Sequence, residues 1–515
     1  MVRHTIANDR VPSPTTTTWF TPYVDATLPP LYPFGDTRYN PAGSAVLGFV
    51  VADREDPCTP TWGTWFDLDE ADEGVDLDRR IETLRRRGGE LIVSFGGAIN
   101  DELAVSCTDV DDLTEAYTAV VDRYDLGIID LDLEGPGLTD VDARTRRAEA
   151  IAAVQDVEDD GLDVWLTLPA DRSGLTADGM ATVQAFLDAG VELAGVNVMT
   201  MNFGSLTAGD QVADAIEQSL QATAEQVRRT FGAAGYDLAD GEEWAHVGGT
   251  VMIGRNDVIT EVLTLADAEQ VASFALEHGL GRLSMWSLNR DAPCGPEVDA
   301  GVAQSSCSSV VQKSLDFARL FAGQLDSAPP DGVEIPVGQS RSQSAVVVDD
   351  PATSPYPIWT PTGVYRAGDK VVLDGNVYQA KWWAGGAQPG VAVANPWDTP
   401  WSLVGPVLPS DVATTTTTLP PGVFREWQPQ DTYEAGSRVQ HLGVAYEAKW
   451  WTTGDEPGIA GTDPRQTPWA PIVVDLDQLY PSATDVPATD DGSAATTPQT
   501  ATPQTTSDST RTTDV

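Results

Sequence analysis

Lysine is almost missing from this chain: Lys313, Lys370, Lys381 and Lys449 are the only four, and 30 basic residues in all face 78 acidic ones. The formal charge of −48 repels phosphate backbones and anionic headgroups. Nucleic acid and anionic membranes are therefore poor partners, and an uncharged polymer is the expected one. Histidine is equally scarce. His4, His246, His278 and His441 are scattered and no CxxC accompanies them, which removes most metal-hydrolase and Ser-His-Asp chemistries, so no metal and no cofactor are expected. No run of eighteen apolar residues exists, so no membrane-spanning helix is expected. Cysteine is limited to Cys58, Cys107, Cys294 and Cys307. An even number spread over loops reads as two disulfides in an oxidising compartment, with reduced, buried thiols as the alternative. That compartment implies an extracellular protein, although residues 1–18 are polar and hold no signal-peptide core.

What is present is organised around residues 127–137, GIIDLDLEGPG. Asp130, Asp132 and Glu134 recur at period two with Ile129, Leu131 and Leu133 between them. In a strand this sends three acids to one face and the apolar residues to the other. Like charges one strand repeat apart, about 6–7 Å, resist ionising together, so at least one acid is expected to keep its proton near neutrality. A proton donor beside an orienting carboxylate is what glycosidic cleavage needs. The plainer alternative is an edge strand whose acids face water. The turn Gly135-Pro136-Gly137 directly after the acids, and Ser94-Phe95-Gly96-Gly97 upstream, favour the first reading.

A chain of 515 residues exceeds one compact domain. From Trp19 to about Gly323, eight apolar runs alternate with amphipathic stretches. The runs are 19–25, 45–51, 90–97, 127–134, 163–169, 195–201, 249–254 and 282–288, and helical spacing marks 76–88, 110–124 and 265–279. Eight strands alternating with helices is the expectation for a TIM (β/α)8 barrel in the α/β class, with its site at the carboxyl ends of the strands. Further on, residues 359–383 and 427–451 align without a gap at an offset of 68, so two small all-β modules of about 45 residues follow. The expected layout is a disordered leader (1–18), a catalytic barrel (19–324), a linker (325–355), module one (356–407), a Thr/Pro linker (408–422), module two (423–473) and a disordered tail (474–515). Linkers without periodicity or aromatic content imply modules that fold and bind independently, with few contacts to the barrel.

The two marker motifs resemble those of glycoside hydrolase family 18, the chitinases, written SxGG and DxxDxDxE, with Gly127 in place of the first acid. NVMTMNFG (197–204), MIGRNDV (252–258) and SMWSLNRD (284–291) resemble the sixth, seventh and eighth strand motifs of bacterial members. The paired tryptophan modules resemble carbohydrate-binding module families 5 and 12. The resemblance implies an endo-acting chitinase that retains configuration by substrate assistance. Glu134 would be the general acid, Asp132 would orient the substrate's acetamide, and Asp130 would act electrostatically behind it. Trp286 would lie under the cleaved sugar, with core filling as its plainer role. Ser94, Gly96 and Gly97 would shape the barrel floor. Met199, Thr200, Met201 and Asn202 stand where many members have Met-x-Tyr-Asp, so that tyrosine hydroxyl and aspartate charge are missing, and Tyr23 is a candidate to supply the donor.

Members of the family it resembles that have deep clefts carry an α+β insertion between the seventh and eighth strands; only a short connection and one helix fit here, so the resemblance implies a shallow open groove. In each module Trp382-Trp383 and Trp450-Trp451 follow an alternating strand, so one of each pair should be exposed and the other packed. With Trp401 and Trp469 they form the expected chitin-binding residues. In a barrel the loops after the second and third strands are neighbours, so the expected bridges are Cys58–Cys107 and Cys294–Cys307. The expected partner is chitin or a related N-acetylglucosamine polymer, bound by a monomer. Competing readings are an endo-β-N-acetylglucosaminidase and a non-catalytic chitin-binding protein on a degenerate barrel.

Overall fold

A computed structural model describes residues 18–325, 354–408, 423–457 and 468–471 with short internal omissions, together with Asp349 and Asp411. The expected leader, most of both linkers and the tail lie outside the described residues. The chain divides into two compact units, Met1–Thr414 and Thr415–Val515.

Each of the eight apolar runs forms a strand of one parallel sheet. The strands are β1 (Trp19–Phe20 and Tyr23–Asp25), β2 (Ala45–Ala52), β3 (Leu91–Gly96), β4 (Ile128–Asp132), β5 (Asp163–Asp171), β6 (Leu193–Met199), β7 (Val247–Met252) and β8 (Arg282–Trp286). Pro22 has no N–H for the ladder, and β1 breaks there. Its first piece pairs with β8 and its second with β2, so the two ends of the sheet meet at consecutive residues and close the ring. The (β/α)8 barrel expected from the alternation is therefore the observed fold.

The main outer helices are α1 (Leu68–Val75), α2 (Leu77–Arg85), α3 (Val110–Tyr124), α4 (Val141–Val157), α5 (Ala177–Ala189), α6 (Val212–Ala234), α7 (Leu265–His278) and α8 (Asp316–Gln324). Their starts follow local chemistry. Asp109, Asp140 and Thr176 each accept a free N–H of the first turn, and Thr264 with Asp267 forms a capping box. Gly190, Gly235 and Gly279 end helices in the left-handed conformation, which only a residue without Cβ adopts freely. Inward stripes such as Leu113, Tyr117, Val120 and Val121 of α3 pack on the outer face of the sheet.

The repeats form two small antiparallel sheets. The first contains β9 (Lys370–Leu373), β10 (Asn376–Ala380) and β11 (Trp401–Pro406); the second, β12 (Arg438–His441), β13 (Val444–Ala448) and β14 (Trp469–Pro471). Val371, Ala380 and Trp401 make one core and Val439, Ala448 and Trp469 the other, at the same offset. Trp401 and Trp469 are each 2% exposed, and their indole N–H groups donate to the carbonyls of Ala387 and Asp455. These two tryptophans are corrected from chitin-binding surface to module core. The expected one-in, one-out arrangement also fails: Trp382, Trp383, Trp450 and Trp451 are 41%, 64%, 42% and 61% exposed. Strand alternation does not govern them because β10 and β13 end at Ala380 and Ala448. A third correction concerns the first module. It packs against helix α2 of the barrel, with Arg79 paired to Asp411, so the expectation of few contacts does not hold for it.

Cys58 is bonded to Cys107, joining the loops after β2 and β3, and Cys294 to Cys307 after β8. The first closes a separation of 49 residues and the second 13. Loop-closure entropy then stabilises by about 4 and about 3 kcal/mol respectively. Replacing Cys58 and Cys107 together by serine is expected to lower the unfolding free energy by about 2–4 kcal/mol in denaturant titrations. An unchanged midpoint and slope would show that the bridge adds nothing.

Candidate active site

Asp130, the first acid of β4, sits fully buried on the barrel axis. Ser94 is its register neighbour on β3, so both side chains point inward together, and the Ser94 hydroxyl donates to Asp130 Oδ2 at 2.7 Å. The hydroxyls of Tyr23 and Thr167 donate to Asp130 at 2.8 and 2.6 Å, and Arg282 Nη1 pairs with Oδ1 at 2.8 Å. Four donors from β1, β3, β5 and β8 thus saturate one carboxyl group. Arg282 is itself fully buried, its guanidinium carbon 5.6–5.7 Å from the ring centroids of Trp19, Tyr23 and Trp165. Aromatic faces offset part of the cost of burying its charge. Asn197 extends the network, donating to Thr167 and Thr250.

Asp132 lies one strand repeat further toward the carboxyl end and lines a cleft of about 290 Å³ with Glu134 and Trp286. Its Oδ1 is buried and has no hydrogen-bond partner among the described residues. Burial above all, then the negative charges of Glu134 and Asp130, pushes the Asp132 carboxyl well above the usual aspartate range, against the lowering pull of Arg282. Glu134 is also raised, first by burial and then by Asp257. It stands at the N-terminal end of the turn Gly135–Thr139, yet its side chain makes no capping bond. The carboxyl group is left to the cleft.

Backbone permissiveness lets the floor come this close. Gly96 and Gly97 have φ of +100° and +84°. A Cβ on Gly96 would lie 2.2 Å from the Asp132 carbonyl oxygen, and one on Gly97 would meet the Phe49 ring at 2.8 Å. Phe49 stacks on Trp286 with centroids 5.6 Å apart, and Tyr23 tilts against the same indole at 6.1 Å. The Trp286 ring is only partly buried and forms one wall of the cleft. Tyr23 lines the cleft as well, but its hydroxyl is engaged by Asp130.

Met199, Met201 and Asn202 also line the cleft. Asn202 adopts a left-handed φ of +53°. Its Nδ2 donates to Asp257 Oδ2 at 3.0 Å and its Oδ1 accepts from the Val258 N–H at 3.0 Å, which fixes Asp257 on the cleft. A carboxylate therefore faces the site from the segment after β7 although the sixth-strand aspartate is absent. The sequence reading missed Asp257, Arg282, Thr167 and Phe49. Asp257 lies within a motif it quoted, and Arg282 and Thr167 occupy inward positions of strands it recognised. Between β7 and β8 only the hairpin Gly254–Arg255/Val262–Leu263 and α7 intervene, so no inserted domain walls the cleft on that side. Among the described residues no cluster of His, Cys, Asp and Glu is arranged to hold a metal ion.

At the modules, the ammonium of Lys381 lies 4.9 Å from the Trp382 ring centroid and that of Lys449 lies 5.8 Å from the Trp450 ring centroid, so the repeat preserves the same exposed aromatic arrangement twice.

Carbohydrate-binding module family 5/12 matches residues 426–470. Over the barrel, the chain is 36% identical across 286 residues to a probable bifunctional chitinase/lysozyme of Escherichia coli (strain K12), covering 54% of this chain and 31% of that protein. It is 34% identical across 291 residues to endochitinase 11 of Metarhizium anisopliae, covering 53% and 52%. The chain thus spans about a third and about half the length of these two relatives. The crystal structure of the catalytic domain of a hyperthermophilic chitinase from Pyrococcus furiosus superposes with a TM-score of 0.52 at 27% identity, covering 60% of this chain and 94% of that one. Closed barrel and relatives agree that the chain is similar to chitinases, and residues 426–470 match carbohydrate-binding module family 5/12.

Proposed function

We propose that the protein is a secreted chitinase that cleaves within β-1,4-linked N-acetylglucosamine chains, with retention and with help from the substrate's own acetamide. The observation that carries this reading is the pairing of Glu134, uncommitted at the mouth of the barrel, with a buried Asp132 whose Oδ1 has no partner among the described residues. A substrate bound across Trp286 presents its glycosidic oxygen to Glu134 and its acetamide N–H to Asp132. Glu134 gives its proton to the glycosidic oxygen as the bond to the anomeric carbon breaks. The acetamide carbonyl oxygen forms the new bond to that carbon from the opposite face, and the Asp132 side chain stabilises the positive charge that develops on the acetamide nitrogen. Water then attacks the anomeric carbon from the side the leaving group vacated, returning the electron pair to the carbonyl oxygen and its own proton to Glu134. Two inversions give net retention.

The raised Glu134 favours the protonated acid that the first step consumes. A cleft with no inserted wall between β7 and β8 admits a chain in its middle, which suits internal cleavage. The exposed tryptophan pairs suit the flat face of a glycan array, and tethered aromatic modules raise local concentration on an insoluble polymer.

Glu134→Gln is expected to lower kcat on N-acetylglucosamine oligomers by at least about 10²–10⁴-fold while leaving adsorption to chitin unchanged. Full activity in that variant would sink the assignment. Asp132→Asn should be comparably impaired, and proton NMR of early hexamer products should show the β-anomer first; inverted product would exclude substrate assistance. Asp257→Asn removes a negative charge that favours the neutral Glu134. The Glu134 pKa should fall, and the alkaline limb of the kcat profile should move to lower pH. An unmoved limb would mean that Asp257 does not tune the acid.

A further inference from the structure

The corner between α1 and α2 is built unlike the rest of the barrel exterior. Asp76, Arg79 and Thr83 form a polar row along α2 on the outside of the ring, yet they are 4%, 4% and 6% exposed, because the first module covers them. Asp76 begins α2 in a left-handed conformation and makes no side-chain capping bond. Its carboxylate instead accepts from the Tyr356 hydroxyl at 3.0 Å and pairs with Lys370, both residues of the module. Arg79 forks onto Asp411 at 2.5 and 2.9 Å and also donates to the Pro406 carbonyl. A bidentate pair of this kind specifies orientation as well as affinity. Thr83 Oγ1 donates to the Val404 carbonyl at 3.1 Å, one residue before Gly405. A Cβ on Gly405 would lie 2.4 Å from the Arg79 carbonyl oxygen and 2.3 Å from Thr83 Oγ1, so only glycine lets β11 approach α2 so closely.

The sequence supplies an independent comparison, because the second repeat is the same module at an offset of 68 residues. Its core is kept, with Val371, Ala380 and Trp401 matched by Val439, Ala448 and Trp469. The residues that meet the barrel are not kept. Tyr356 is matched by Phe424, Gly405 by Val473 and Asp411 by Leu479, and Lys370 by the bulkier Arg438. The hydroxyl, the glycine and the acid that define the contact are absent from the second copy, although the shared fold does not require their loss.

We propose that the α1–α2 corner is a docking surface built for the first repeat, through residues that the second repeat lacks, making the barrel and the first module one rigid body. On the reading given above, that the exposed tryptophans hold glycan, Trp382 and Trp383 then stand at a fixed position relative to the cleft. The first module orients the polymer for the barrel.

Docking is tested in the full chain by introducing the residues of the second repeat, Gly405→Val and, separately, Asp411→Leu. Spin labels at the exposed Val364 of the module and at Arg86 of α2 report the distance by pulsed electron resonance. A narrow distribution is expected in the parent protein and a broad one in both variants, with circular dichroism and hydrolysis of soluble oligomers unchanged. Hydrolysis of insoluble chitin should fall severalfold in the variants. A broad distribution in the parent, or narrow ones in both variants, would overturn the docking. Undocking without loss on insoluble chitin would overturn the orienting role. An inactive parent with a narrow distance would refute the chitinase reading and leave the docking standing.

Discussion

The ion pair between Arg282 and Asp130, with both side chains fully buried at the barrel axis, is the constraint on which the site depends. Burying two charges is costly, and it is tolerated because Ser94, Tyr23 and Thr167 supply the remaining hydrogen bonds and three aromatic rings surround the guanidinium. The groups come from five of the eight strands. Correct register around the ring is therefore a condition for satisfying Asp130, and a slip in one strand would leave a buried charge unpaired. One residue pair away, burial above all, then the charges of Glu134 and Asp130, disfavours ionisation of Asp132, whose own Oδ1 remains open. At the mouth of the barrel Glu134 shares the cleft with Asp132, Asp257 and the Trp286 ring, and burial and Asp257 raise it.

Much of this was legible in one strand. Period-two acids between Ile129, Leu131 and Leu133 require a face that tolerates carboxylates, and the eight apolar runs give that face an address at the barrel interior. What the pattern could not show is the partner of each acid. Arg282 reads as the polar start of an apolar run, and Thr167 as one β-branched residue among many; only the closed ring brings them to Asp130. Asp257 was hidden for a different reason. It follows β7, and it reaches the cleft because Asn202, in a left-handed conformation, binds its side chain and the backbone beside it. The expectation for each tryptophan pair failed where the strands ended, and Trp401 and Trp469 were misjudged because a module this small must spend its largest ring on a core. The docking of the first module was invisible to composition, since its linker says nothing about Asp76 or Arg79.

The two repeats share one core and differ at the positions through which the first meets the barrel. Their cores agree residue by residue, and each presents an exposed tryptophan pair beside a lysine. They differ in sequence at the positions through which the first repeat meets α2, where Gly405 and Asp411 are matched by Val473 and Leu479. The contact buries polar side chains that are mutually paired, which favours one orientation over many.

The central claim is that burial, with the charges of Glu134 and Asp130, raises the proton affinity of Asp132, and that burial, with Asp257, raises that of Glu134. Carbon-13 NMR titration of side-chain-labelled carboxyl groups in the intact protein, assigned with Asp132→Asn and Glu134→Gln, measures this most directly. Asp132 is predicted to remain protonated well above the ordinary aspartate range, with Glu134 also raised. Ionisation of Asp132 near about 4, the value of an unperturbed aspartate, would contradict it.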